Sequence, residues 1–181
     1  MIFLVEANDR YADEVEHFKE EVLIQDRENE NRFAGCLGLE ESASAREWIR
    51  QCILRQSEDT CGQTGVSVPS TTYFAIRESD CRLVGVIDLR HHIDHPVLGT
   101  WGGHCGYSVR PSERGHGYAK EMLRLNLQNA KAKGIPRILV TCGTDNPASE
   151  KTILANGGVF DKDIDVDGET VRRYWIVTDR Q

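Results

Sequence analysis

Hydrophobic and polar positions follow two periods along this chain, and the switches between them mark out its elements. Ile2 to Val5 is a short apolar run of strand type. Tyr11, Val15, Phe18 and Val22 then recur at helical spacing and predict a helix from about Asp9 to Asp26, its other face acidic. Arg27 to Glu41 keeps no period, and its polar, glycine-containing composition predicts a mobile connection. Ser44 and Glu47 make a capping box ahead of a second helix with Trp48, Ile49, Cys52 and Ile53 as its apolar stripe. The Ser-, Thr- and Gly-rich stretch from Ser57 to Ser70 ends it.

Two β-rich runs, Thr72 to Ile76 and Leu83 to Leu89, flank Glu78-Ser79-Asp80 and predict an antiparallel hairpin. Cys105 to Val109 reads as the next strand. Ala119, Met122, Leu123, Leu127 and Ala130 then define the main helix, with Lys131, Lys133, Gly134 and Pro136 supplying the charge, cap and stop at its end. Ile138 to Cys142 is unbroken apolar sequence, which predicts a strand covered on both faces and parallel to Cys105–Val109, the helix between them completing a right-handed βαβ unit. Asn146 is placed to cap a shorter helix opened by Pro147 and closed by Gly157-Gly158. Val159 to Asp163 and Val171 to Thr178 form a last pair around Asp167-Gly168.

The junction between Val109 and the main helix changes the picture from architecture to chemistry. Arg114, Gly115, His116, Gly117, Tyr118 and Ala119 lie where a strand turns into a helix, so backbone N–H groups without intrahelical partners meet the positive end of the helix dipole. A pyrophosphate fits such a place. Gly115 and Gly117 let the backbone come close to phosphate oxygens, and Arg114 adds a charge. A dinucleotide fingerprint would require a third glycine where Lys120 stands, and a P-loop would require a Gly-Lys-Ser/Thr ending that is absent.

Composition narrows the class. A chain of 181 residues, 39% hydrophobic and 28% charged, suits one globular domain spanning 1–181. With 22 basic and 29 acidic residues the net charge is −7, which argues against a nucleic-acid footprint and favours cationic or amine substrates. No leader-like N-terminus or membrane-length apolar run occurs, so no membrane partner is expected and the cytoplasm is the expected compartment. The six cysteines, at 36, 52, 61, 81, 105 and 142, are widely spaced and read as free thiols, with Cys105 and Cys142 buried in strands. Asp88, His91, His92 and His95 match no standard zinc ligand spacing, so no metal is expected.

Arg-x-x-Gly-x-Ala, read as Arg114, Gly117 and Ala119 in the context Gly-Tyr-Ser-Val-Arg-Pro-Ser-Glu-Arg, resembles the acetyl-CoA-binding motif of the GCN5-related N-acetyltransferase (GNAT) superfamily, in an uncharacterised bacterial branch. The element order β-α-α-β-β-β-α-β-α-β-β is similar to that superfamily over nearly the whole chain. The resemblance implies an α/β (α+β) fold with a mixed, mostly antiparallel central sheet and a splayed parallel strand pair. It also implies acetyl-CoA as co-substrate, with the pantetheine arm in the splay along Tyr107 to Val109 and the diphosphate on the N–H groups of Arg114 to Ala119. A backbone N–H of Ser108 or Val109 would meet the thioester oxygen.

Asn146 and Ser149 occupy polar positions of what resembles the superfamily's second cofactor motif. Many members carry a tyrosine seven residues after that asparagine to protonate the departing thiolate; here Ile153 stands there. The donor is then sought in Tyr107 or Tyr174, in water, or in unassisted departure of the thiolate. Histidine suits the opposite task, deprotonating the amine near neutral pH, and His104 is the first expectation, with His91 second. The acceptor is a primary amine on a small molecule or a protein, and a homodimer contact stays open. The missing tyrosine supports a second reading, a non-catalytic acyl-CoA-binding sensor or regulatory module.

Overall fold

A computed structural model describes residues 1–180. The chain runs β1 (Ile2–Glu6), α1 (Ala12–Gln25), α2 (Ala45–Leu54), a short α3 (Glu58–Cys61), β2 (Ser70–Arg77), β3 (Leu83–Arg90), β4 (Tyr107–Val109), α4 (Tyr118–Ala132), β5 (Arg137–Gly143), α5 (Pro147–Ala155), β6 (Val159–Val166) and β7 (Glu169–Val177). The strands form two antiparallel sheets, ordered β1-β2-β3-β4 and β5-β7-β6.

Local chemistry explains the boundaries. Asn8 accepts a hydrogen bond from the Arg10 N–H, so the first helix begins as a 3₁₀ turn over Asp9–Tyr11 before α1 proper. Ser44 accepts from Glu47 N at 3.3 Å, while the Glu47 carboxylate reaches back to Ala43 N, one residue before the cap. Of the stripe expected on α2, Trp48, Ile49 and Cys52 are buried, but Ile53 faces outward. Asp167 and Gly168 both take positive φ, as a two-residue hairpin turn between β6 and β7 requires.

Two apolar layers sandwich the first sheet. Phe18 and Val22 of α1, Trp48 and Ile49 of α2, and Phe74, Ile76, Leu83 and Val86 from the sheet fill one, where the Trp48 and Phe74 rings stack 6.0 Å apart. On the other side Met122, Leu123, Leu127 and Ala130 of α4, all fully buried, pack on Ile87 and Leu89 of the first sheet and on Ile138, Val140 and Ile176 of the second. Burial of each such leucine or methionine contributes ~2 kcal/mol, so α4 is the element that holds the two sheets together.

One expectation is corrected here. The segment 27–41 is packed: Cys36 and Leu39 are buried in the core beneath α2, and the Leu37 carbonyl accepts hydrogen bonds from Trp48 Nε1 (2.9 Å) and Arg55 Nη1 (2.6 Å). No parallel ladder joins β4 to β5 among the described residues; β5 pairs with β7, antiparallel, from Arg137–Val177 to Gly143–Val171. In β5, Ile138, Val140 and Cys142 are buried in the core with α4, and Leu139, also buried, exchanges hydrogen bonds with His104 along the strand edge.

Candidate active site

The turn after β4 is locked from below by buried charge. Arg110, 5% exposed, lies between Glu14 (3.0 Å) and Glu21 (2.8 Å) of α1, and Glu21 also accepts from the Ser112 N–H at 2.6 Å. Glu113, equally buried, pairs with Arg77 at 2.6 Å and Arg82 at 3.2 Å. Past this anchor the chain is open. Gly115 (φ +81°) and Gly117 (φ +79°) both adopt the left-handed conformation, and a Cβ added to either would meet nothing within 4 Å. The result is a row of backbone N–H groups, from Gly115 through Lys120, with no acceptor among the described residues; the first bond of α4 runs from Glu121 N to Gly117 O. Free donors and an aligned helix dipole make this an anion site.

Arg114 does less there than its charge promises. Its guanidinium forms a two-pronged ion pair with Asp26, the residue just past α1, with Nη1 to Oδ1 at 2.8 Å, and its Nε donates to Val109 O at 3.3 Å. The hydrogen bond to Asp26 holds the guanidinium pKa above its ordinary value. Asp26 and its neighbours Gln25, Arg27, Glu28 and Asn29 line a cleft of about 470 Å³ beside the turn. Lys120 is exposed and joins no ion pair among the described residues, so the free side-chain charge of this turn sits on the helix.

Above the turn lies the gap between the sheets. The bonds Arg110 N to Val84 O and Asp88 N to Gly106 O fix the β3–β4 register so that Gly106, Ser108 and Arg110 face β3. Alternation then turns the N–H and C=O groups of Tyr107 and Val109 away from β3, toward the gap. Ser108 is thereby removed from the expected oxyanion donors: its backbone faces β3, and its hydroxyl donates to Ala34 O at 2.7 Å. Val109 keeps its N–H toward the gap. The sheets meet where His104 N donates to Leu139 O (2.8 Å) and Leu139 N donates to His104 Nδ1 (2.9 Å).

That clasp takes His104 out of acid–base work. Its ring is 5% exposed, its Nδ1 lone pair is occupied, and burial, followed by the Arg90 charge, lowers its pKa to about 4. His91 lies four residues beyond Ile87, the strand partner of Tyr107, ~13 Å along the chain at 3.3 Å per residue. Its Nε2 is 2.9 Å from Thr71 Oγ1, and burial, then Lys133, lowers its pKa. Both rings are engaged by neighbouring groups.

Tyr107 does reach the second motif. Its hydroxyl is 2.8 Å from Ser149 Oγ on α5, and burial raises the phenol pKa. Ile153, one turn further along α5, is fully buried in the core. Asn146 accepts from Ser149 N at 3.0 Å and so caps α5. The Tyr174 hydroxyl is committed to Glu150 at 2.6 Å, which itself pairs with Arg172. Among the described residues no three His, Cys, Asp or Glu side chains gather as metal ligands. Asp26 and Asn126 escaped the sequence reading. Asn126 had a signal, a polar residue inside the apolar stripe of α4; Asp26 had none, since its partner is 88 positions away.

The chain matches a family model described as an acetyltransferase (GNAT) domain over residues 8–159. No curated protein matches it by sequence. Among solved structures it is similar to the microcin self-immunity acetyltransferase MccE in complex with acetyl-CoA and AMP (16% identity, 97% of this chain and 92% of that one covered, TM-score 0.66). It is also similar to the ribosomal α-N-protein acetyltransferase RimL in complex with coenzyme A (18%, 99% and 96%, TM-score 0.64). A spermidine N-acetyltransferase SpeG chimera from Vibrio cholerae and hSSAT shares the fold too (12%, 99% and 96%, TM-score 0.63). At these identities the likeness is one of fold.

Proposed function

This chain belongs to the acetyltransferase (GNAT) family, and on that premise we propose how it carries an acetyl group from acetyl-CoA to a primary amine. The observation that carries the proposal is the row of unpartnered N–H groups from Gly115 to Lys120, which continues from the outward edge of β4. Those donors hold the diphosphate. The free N–H and C=O groups of Tyr107, together with the Val109 C=O that also accepts from Arg114 Nε, pair with the amides of the pantetheine arm as an added strand would. Val109 N–H then meets the thioester oxygen as negative charge develops there during attack.

Tyr107 and Ser149 serve the departing sulfur. The phenol, kept protonated by burial and held by Ser149, donates a hydrogen bond to the sulfur as charge develops there, and the thiolate takes its proton from water. A hydroxyl from β4 thus replaces the one that the family's tyrosine would bring from α5. Loss of the amine proton runs through water, because both candidate histidines are engaged elsewhere. The acceptor belongs to the range spanned by the similar structures, whose names specify spermidine, a ribosomal protein and microcin immunity. A cytoplasmic setting agrees with six free cysteines, five of them buried.

The test is calorimetry with acetyl-CoA, ATP and NAD, followed by thiol release from acetyl-CoA in the presence of polyamines, amino acids and N-terminal peptides. Binding selective for acetyl-CoA and thiol release stimulated by an amine are the expected results. No binding of acetyl-CoA would overturn the account. Binding without thiol release from any amine would favour the second reading, a non-catalytic acyl-CoA sensor, which Ile153 supports.

A further inference from the structure

In a regular antiparallel pair, each hydrogen-bonded couple of residues exchanges two N–H···O=C bonds. Where β4 approaches the gap, this exchange is half undone. Asp88 N donates to Gly106 O at 3.0 Å, but Gly106 N donates to the Asp88 carboxylate (Oδ1, 2.8 Å) and not to the Asp88 carbonyl. That carbonyl is taken from the other face of the sheet by Asn126 Nδ2 of α4, at 3.2 Å. Two residues earlier Arg90 N donates to His104 O, yet His104 N turns to Leu139 O in the second sheet. Both diverted groups are N–H groups of the chain entering β4, so its peptides are rolled out of the first sheet immediately before Tyr107.

Asn126 is an odd residue to find there. It is fully buried among Met122, Leu123, Leu127 and Ala130, and its Oδ1 has no hydrogen-bond partner among the described residues. A buried orphan acceptor is destabilising, and leucine at this position would satisfy the stripe without it. Stability therefore gives no reason for an asparagine. The return is geometric: Asn126 Nδ2 holds the Asp88 carbonyl toward α4, while the Gly106 N–H goes to the Asp88 carboxylate. Gly106 carries no side chain to oppose the roll, and a Cβ there would lie 2.8 Å from Gly35 N.

We propose that Asn126 and Asp88 are a positioning pair for acetyl transfer, holding β4 turned out of its sheet so that Tyr107 and Val109 present their backbone to the pantetheine arm and the thioester. The inference rests on the acetyl-CoA reading above and adds to it the residues that set the opening between the sheets. Neither side chain touches the substrate; both act through Gly106. With leucine at 126 the Asp88 carbonyl recovers Gly106 N, the ladder becomes regular and the edge of β4 swings back toward β3.

Backbone amide NMR of the full chain during titration with acetyl-CoA separates this from a plain packing role. In the wild type the amides of the phosphate turn, Gly115 to Ala119, and those of Tyr107 and Val109 should all shift. In Asn126→Leu the turn should respond as before, the response of Tyr107 and Val109 should fall at least ~3-fold, and the thermal midpoint should stay level or rise. Asp88→Ala, which removes the carboxylate acceptor, should behave like Asn126→Leu, whereas Asp88→Asn, which keeps an oxygen for Gly106 N, should behave like wild type. Full responses of Tyr107 and Val109 in Asn126→Leu or in Asp88→Ala would overturn the inference while leaving the cofactor reading intact. An unresponsive turn in the wild type would overturn both.

Discussion

His104 offers a prediction whose size follows from its surroundings. In the folded chain its Nδ1 accepts the Leu139 N–H inside the clasp between the sheets, and burial lowers its pKa from 6.5 to about 4. The unfolded chain therefore takes up this proton first on acidification, so the contribution of neutral His104 is complete above about pH 6.5 and is lost as pH falls toward 4. Each unit between the two values is worth about 1.4 kcal/mol, which makes the loss about 3 kcal/mol near pH 4. His104→Asn keeps an acceptor where Nδ1 lies and has no proton to gain. Urea unfolding of both proteins at about pH 7 and about pH 4.5 should show wild type losing ~2 kcal/mol more than the variant over that interval. Parallel losses would mean that His104 is exposed and protonated freely, which would refute the clasp and return the residue to the list of bases.

Three further outcomes follow from the site. Gly117→Val places a β-branched side chain at φ +79° and in the space left for phosphate oxygens, so the acetyl-CoA Kd should rise at least ~10-fold, about 1.4 kcal/mol, by calorimetry; unchanged affinity would misplace the turn. Tyr107→Phe should lower kcat at saturating acetyl-CoA at least ~10-fold with little change in cofactor affinity, and an unaltered kcat would leave the thiolate to depart unaided. Asp26→Asn removes the charge that neutralises Arg114, so acetyl-CoA should bind a few-fold tighter at low salt, with the gain fading as salt is added; weaker binding would show that the ion pair serves to shape the turn.

The elements that sequence made legible are those whose neighbours are local. The stripe Met122, Leu123, Leu127, Ala130 marks α4, and every one of these residues is fully buried. Asn146 and Pro147 mark the start of α5 through a cap bond only three residues long. The turn ahead of α4 was legible for the same reason, since its free donors come from a strand, two glycines and a helix start in succession. Contacts between distant segments were not. The run Ile138 to Cys142 reports burial, but periodicity carries no information about which strand lies alongside: β7 pairs along one edge of β5, and His104 bonds to Leu139 on the other. Segment 27–41 is polar enough to read as loose, yet Cys36 and Leu39 enter the core. His104 looks like a base by type and position, and only the second sheet's Leu139 shows where its lone pair is spent.

A crystal structure of the chain with coenzyme A tests the central claim most directly. The account predicts diphosphate oxygens within hydrogen-bonding distance of the N–H groups between Gly115 and Lys120, with the pantetheine amides on the backbone of Tyr107 and Val109. A diphosphate bound elsewhere, with those N–H groups facing only solvent, would contradict it.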